Sequence, residues 1–257
     1  MSESFKQEHY AEAWHGEQDY SPQECMRLQR ACELFAADAD RRGVEPYKLL
    51  DVGCGVGPLH RWLEAGRVEI TGLEISERAA EQARQNYHDC LVMDVETDWP
   101  VPPGSFHGVH MGAIMEHVLD WHAPLNQANT ALAEGGLLVI CVPNLRYWRE
   151  IRRLIAGRQP HWLRDMGHVP GYPPKFLKQL VTIHGFEVQA LRADRLRLPF
   201  TGKLSRLGTR RLAGFGAVLV LAARRVRPAR VVDATAAPHY PDHKPVACRA
   251  IEVPADG

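Results

Sequence analysis

Leu49-Leu50-Asp51-Val52-Gly53-Cys54-Gly55-Val56-Gly57-Pro58 is the stretch that decides how this 257-residue chain is read. An apolar run that breaks into closely spaced glycines reads as a buried strand ending in a tight turn. Glycine lets the main chain approach a ligand where a Cβ would collide. In open α/β sheets, ligands sit in the crevice beyond the carboxyl ends of the strands, which is where such a turn falls. Two cofactor classes use this geometry. The dinucleotide fingerprint Gly-x-Gly-x-x-Gly needs its last glycine at Pro58, and here the third glycine comes one residue early, at Gly57. That counts against a pyrophosphate on a helix N-terminus and disfavours a nicotinamide-dependent oxidoreductase.

Working outward, the chain alternates apolar runs with helical patterns. Upstream, Ser21-Pro22-Gln23-Glu24 reads as a helix start, with Cys25, Leu28, Cys32, Phe35 and Ala39 near one face and Gly43 as the stop. Downstream, strands are expected at Lys48–Val52, Val68–Ile75, Cys90–Val95, Phe106–Gly112 and Leu137–Val142. Helices are expected between them: from the glycines to about Ala65, from the cap Ser76 to about Tyr87, and from about Ala123 to Ala133. A helix at Lys175–His184 and strands at Phe186–Leu191 and Ala217–Ala223 complete the pattern. Alternating strands and helices imply a doubly wound α/β domain with a seven-stranded, mostly parallel sheet and helices on both faces. The expected organisation is a helical arm at 1–45, the α/β domain at 46–227 with an insert at 144–174, and a Pro/Ala-rich tail at 228–257.

The run Asp51-x-Gly53-x-Gly55-x-Gly57 resembles the first motif of class I S-adenosylmethionine (SAM)-dependent methyltransferases. Three further places resemble the same family in order. Glu74 and Ile75 close the second strand, Asp94 and Val95 the third, and Phe106 to Val118 resembles the fourth motif, although His107 stands where the family usually has Asp. The resemblance implies a cofactor site made by Asp51, Gly53, Cys54, Gly55, Gly57, Glu74, Ile75, Asp94, Val95 and Met111. It holds SAM and releases S-adenosylhomocysteine. Glu74 would accept hydrogen bonds from the ribose hydroxyls, and Asp94 would meet the adenine amino group. Relatives that methylate small-molecule oxygens often carry the pair Glu116-His117, which makes His117 the candidate base; the alternative is a histidine that only braces its own loop. Some RNA 2'-O-methyltransferases bind a cation through Glu-x-x-Glu-His and a later His. Here Ala113 replaces the first Glu, so no metal is expected despite Glu116, His117 and His168.

The segment from Val142 to Arg149 resembles that of methyltransferases related to the MetW family, where the insert covers the active site. Arg146, Tyr147, Trp148 and His168 are thus the candidate substrate residues. The insert also carries Arg149, Arg152, Arg153, Arg158 and Arg164. Its sharp reading is a lid over an anionic, glycan or lipid-linked acceptor, and its plain reading is a surface helix. With Lys203, Arg206, Arg210 and Arg211 the basic cluster allows peripheral membrane contact. Tyr10 and Tyr20, in the arm, would close over the cofactor by the same resemblance.

Bulk composition bounds the rest. Lys plus Arg equals Asp plus Glu at 31 each, so no global charge draws the chain to nucleic acid, and the aromatic-basic pattern is not sustained beyond the insert. Cys25, Cys32, Cys54, Cys90, Cys141 and Cys248 include no Cys-x-x-Cys pair, so free thiols in a reducing cytoplasm are expected. The start lacks a basic-then-apolar run, so no secretory signal is expected. Two functions stay open: methylation of an O or N atom of a small-molecule, glycan or lipid-linked acceptor, and a non-catalytic SAM-binding accessory role.

Overall fold

The computed structural model describes residues 22–161, 168, 171–194, 196–197, 204–205 and 216–228. Tyr10, Tyr20, Trp162, Arg164, Lys203, Arg206, Arg210, Arg211 and nearly all of the 228–257 tail lie outside them.

The chain starts with α1 (Pro22–Arg42), whose Leu28, Ala31, Cys32, Phe35 and Ala39 are all buried. Gly43, at φ 61°, ends it by donating its N–H to the Ala39 carbonyl. Then come β1 (Tyr47–Val52), β2 (Val68–Glu74), α2 (Glu77–Ala83), β3 (Asp89–Val92) and β4 (Phe106–Gly112). They are followed by α3 (His122–Ala131), β5 (Leu132–Pro143), α4 (Trp148–Ile155), α5 (Pro174–Ile183) and β6 (Phe186–Ala193). A short ribbon of β7 (Leu196–Arg197) and β8 (Leu204–Ser205) precedes β9 (Val218–Arg225). Seven strands form one sheet in the order β3-β2-β1-β4-β5-β9-β6. The first five are mutually parallel, and β9 runs antiparallel to both β5 and β6.

Successive strand residues feed opposite faces, because side chains alternate with period two. Leu50, Val52, Val109, Met111, Leu138 and Ile140 enter one core with α3 and α5. Tyr47, Leu49, Ile70, Leu137, Val139 and Val220 enter the other, with α1. Hence the adjacent Leu49 and Leu50 of β1 are both buried: both faces of the strand are covered.

Asp38 ties the second core together. Its buried carboxylate accepts hydrogen bonds from Tyr47 Oη (2.9 Å), Arg42 Nε (3.0 Å), Arg41 Nη2 (3.0 Å) and Arg224 Nη2 (2.7 Å). Burial pushes its pKa up, but Arg224, Tyr47 and Arg41 outweigh this and hold it below the usual carboxylate value.

Several boundaries differ from the sequence reading. The helix expected after the glycines is a single 3-10 turn at Pro58–Arg61. Gly57 offers no capping side chain, and the Trp62 N–H closes back on the Leu59 carbonyl. The helix after Ser76 stops at Ala83, and β3 ends at Val92. The fifth strand starts at Leu132, ahead of the expected Leu137, with Gly135 at φ 65° inside it.

Candidate active site

The site is built where β1 and β4, at the centre of the sheet, and β2 and β3 beside them reach their carboxyl ends. Gly53, Gly55 and Gly57 all have positive φ (66°, 55° and 73°), so the turn after β1 is one that L side chains rarely adopt. A Cβ on Gly53 would lie 2.7 Å from Ile114 Cδ1, and one on Gly57 would lie 3.1 Å from the Ala83 backbone. Gly53 and Cys54 both donate their N–H to the Leu73 carbonyl, which welds the turn to β2.

Beneath the turn lies a closed polar network. Asp51 Oδ2 accepts from Tyr87 Oη at 2.7 Å, and Asp51 Oδ1 lies 2.7 Å from His110 Nδ1. Tyr87 Oη in turn accepts the Leu59 N–H at 3.2 Å, just past the glycines. Burial alone would lower the pKa of His110, but the charge of Asp51 and its hydrogen bond raise it to about 9. Burial and the Asp51 charge push the Tyr87 hydroxyl up. Asp51 therefore braces the turn from below, through side chains that sequence spacing alone does not connect.

Glu74 ends β2 with its carboxylate aimed into the turn. Oε2 accepts the Gly55 N–H at 2.8 Å, and Oε1 accepts the Ser76 N–H at 2.9 Å. Burial raises its pKa, against the opposing pull of the Ser76, Gly55 and Ile75 amides. Ser76 caps α2 through its Oγ, which accepts the Ala79 N–H at 3.4 Å. The next acid along, Asp94, accepts the Glu96 N–H at 3.0 Å. Glu96 Oε1 then accepts the Leu119 and Asp120 N–H groups at 2.7 and 3.1 Å, clasping the loop after β4.

These ends enclose a cleft of about 650 Å³, solvent at its mouth included, lined by Gly53, Glu74, Ile75, Asp94, Val95, Glu96, Ala113, Ile114, His117 and Val118. Of the sequence candidates, Gly53, Glu74, Ile75, Asp94, Val95 and His117 share this lining. Gly55 adjoins it through its bond to Glu74. Asp51, Cys54, Gly57 and Met111 are not in the lining: Met111 is core, and Cys54 Sγ sits 3.5 Å from Cys90 Sγ over Gly72, which has no side chain to part them. The Cys90 contact and burial raise the Cys54 thiol pKa, so it is no ready nucleophile.

Ala113, Ile114, Glu96 and Val118 also line the cleft and were not among the candidate site residues. Ala113 has φ 59°, a left-handed conformation that is uncommon outside glycine and clusters at functional sites. Nothing in its residue type signals this. From there Ile114 accepts the His117 N–H at 2.9 Å, a tight turn that carries His117 to the cleft.

The insert reaches the same place. Asn144 accepts the Arg146 N–H on Oδ1 (3.0 Å) and donates Nδ2 to the Gly216 carbonyl (2.7 Å), which sets the exit from β5. Tyr172 pairs with Asn144 and donates its hydroxyl to the Met115 carbonyl at 2.8 Å. His168, four residues earlier, lies against His117, with ring centroids 4.5 Å apart and planes tilted by 58°. The other substrate candidates are spread along the insert: Arg146 is exposed, Tyr147 buried, and Trp148 partly covered with Arg152 over its ring at 5.5 Å.

Residues 6–191 match the model of a family described as "Methyltransferase domain". The chain belongs to that family. This methyltransferase domain has the class I architecture, and the family carries SAM as its cofactor. It is 29% identical over 136 residues to a ubiquinone biosynthesis O-methyltransferase of Idiomarina loihiensis, covering 50% of this chain and 51% of that protein. It is 30% identical over 137 residues to a trans-aconitate 2-methyltransferase of Rhodopseudomonas palustris, covering 51% and 50%. The methyltransferase thus spans about half the length of the curated relatives it matches. A SAM-dependent methyltransferase of Archaeoglobus fulgidus shares the fold at TM-score 0.53 and 19% identity, covering 75% of this chain and 94% of that one. The cleft suits the cofactor. Glu74 presents a carboxylate with acceptor capacity beyond its two amide bonds, and the Gly53 backbone lies open beside it.

Proposed function

We propose that this chain transfers a methyl group from SAM to an oxygen or nitrogen of a small-molecule, glycan or lipid-linked acceptor. One observation carries the reading: Glu74, a carboxylate for the ribose, and His117, a proton acceptor, line the same cleft beside the Gly53 turn. Bound SAM supplies an activated methyl on a sulfonium, so the protein has mainly to align the acceptor and exclude water. Gly53 and Glu74 hold the cofactor's ribose side, Asp94 and Val95 its base, and His117 serves the acceptor's proton. Expected results are saturable SAM retention in equilibrium dialysis and formation of S-adenosylhomocysteine with a panel of hydroxy acids, phenols and glycans. His117→Ala should cut turnover by about 10²–10⁴-fold and leave SAM affinity within a factor of about three. Equal losses in both would remove the catalytic role. SAM retention without turnover, together with a co-purifying enzyme, would favour the accessory role instead.

A lipid-linked acceptor has one specific observation behind it. On α4, Ile151, Leu154 and Ile155 are exposed, Ile155 by 82%, on a helix that also carries Arg149, Arg152 and Arg153. Such a helix suits an anionic lipid surface. Co-sedimentation with phosphatidylglycerol vesicles at low salt, lost in Ile151→Glu/Ile155→Glu, is the expected result. No co-sedimentation would leave a water-soluble acceptor.

A further inference from the structure

Glu116, His117 and His168 come from two distant stretches of chain and meet at one point. One carboxylate oxygen and two imidazole nitrogens all lie within 4.8 Å of one another. Glu116 is buried and both histidines are partly covered. The sequence reading set a metal aside because Ala113 supplies no donor; the structure shows that the remaining three donors converge without it. We propose that they form a divalent transition-metal site on the acceptor side of the cleft, open to an acceptor bearing two adjacent oxygens. This rests on the reading of the cleft as a methyl-transfer site.

Four features support it. Two imidazoles with one carboxylate suit zinc, iron, cobalt or manganese, whereas magnesium and calcium favour oxygen ligands. Donors held tetrahedrally by one ion at about 2.1 Å stand about 3.4 Å apart, so the trio, within 4.8 Å of one another, has to close by up to about 1.4 Å. The trio is held from behind: Tyr172 anchors the strand end of the insert to the Met115 carbonyl, one residue before Glu116, and the His117 N–H is fixed to Ile114. Finally, His117 and Ala113 both line the cleft, so the trio adjoins the space an acceptor would enter. A vicinal diol, catechol or α-hydroxy acid could chelate there. The ion would lower the pKa of the hydroxyl to be methylated, and its proton would leave to solvent. In this arrangement His117 acts on the acceptor as a ligand of the ion, in place of taking the proton itself.

The test uses the full chain without an affinity tag, stripped with a chelator and titrated with Co²⁺. Expected are visible d–d absorption bands and calorimetric binding saturating at one ion per chain. His168→Ala and Glu116→Gln should each weaken binding at least tenfold. His122→Ala, at the separate His122–His184 pair, should not. SAM retention by dialysis is read on every variant and should hold within a factor of two, which separates this proposal from the cofactor reading. The absence of saturable 1:1 binding, or a Co²⁺ affinity unchanged in folded His168→Ala, would overturn the site even if SAM still binds.

Discussion

Removing one hydroxyl from beneath the glycine turn should cost far more than removing an equally buried hydroxyl elsewhere. Tyr87 and Tyr47 both bury a phenol that donates to a buried carboxylate, Tyr87 to Asp51 at 2.7 Å and Tyr47 to Asp38 at 2.9 Å. They differ in what the carboxylate keeps. Asp38 retains Arg41, Arg42 and Arg224, whereas Asp51 retains His110 alone among the described contacts. Tyr87 Oη also accepts the N–H of fully buried Leu59, which would lose that partner. A hydrogen bond to a charged group contributes about 1.5–3 kcal/mol, and a buried amide left unmade adds about 1 kcal/mol or more. Tyr87→Phe should therefore lose about 2–4 kcal/mol, and Tyr47→Phe about 0.5–1.5 kcal/mol because three guanidinium groups still satisfy Asp38. Urea unfolding followed by circular dichroism measures both. In thermal melts the gap corresponds to a fall of about 6–12 °C against about 2–4 °C for a chain of this size. Because Leu59 adjoins the glycine turn, Tyr87→Phe should also weaken SAM binding and Tyr47→Phe should not. Equal destabilisation, or the larger loss in Tyr47→Phe, would refute the view that the Asp51 network braces the turn.

Other outcomes follow from the same geometry. Glu74→Gln replaces one carboxylate oxygen by an amide NH2 that faces the Gly55 or Ser76 N–H, donor against donor, so SAM affinity should fall at least about tenfold by dialysis; an unchanged Kd would show that Glu74 does not contact the cofactor. The pKa of His110 is raised from 6.5 to about 9, so its pairing with Asp51 stabilises fully below pH 6.5 and fades as pH rises through 9. Over that window wild type should lose on the order of 2–3 kcal/mol, and His110→Gln should show a flatter dependence in urea titrations; parallel curves would place the linkage elsewhere.

Much of the fold was legible because its signals are local. Gly53, Gly55 and Gly57 announce a turn that side chains forbid, Ser76 announces a cap, and the adjacent Leu49 and Leu50 of β1 announce burial on both faces. Glu74, Asp94 and His117 were readable for a related reason: each stands at or just beyond a strand end, and in a parallel sheet all the strand ends meet at one edge. Other features were not legible. Met111 belongs to the core because strand alternation points it into the sheet's interior, and the helix after Gly57 shrinks to one turn for want of a cap.

The residues by themselves determined most of the elements, the direction of the sheet and the edge that carries the cleft, since backbone sterics and hydrophobic period act over a few positions. Tertiary structure alone decided which side chains meet. Asp51, Tyr87 and His110 join across three elements. Glu96 clasps a loop more than twenty residues away, and the docking of Tyr172 delivers His168 to Glu116 and His117. Such encounters depend on distances between segments, which no local pattern encodes.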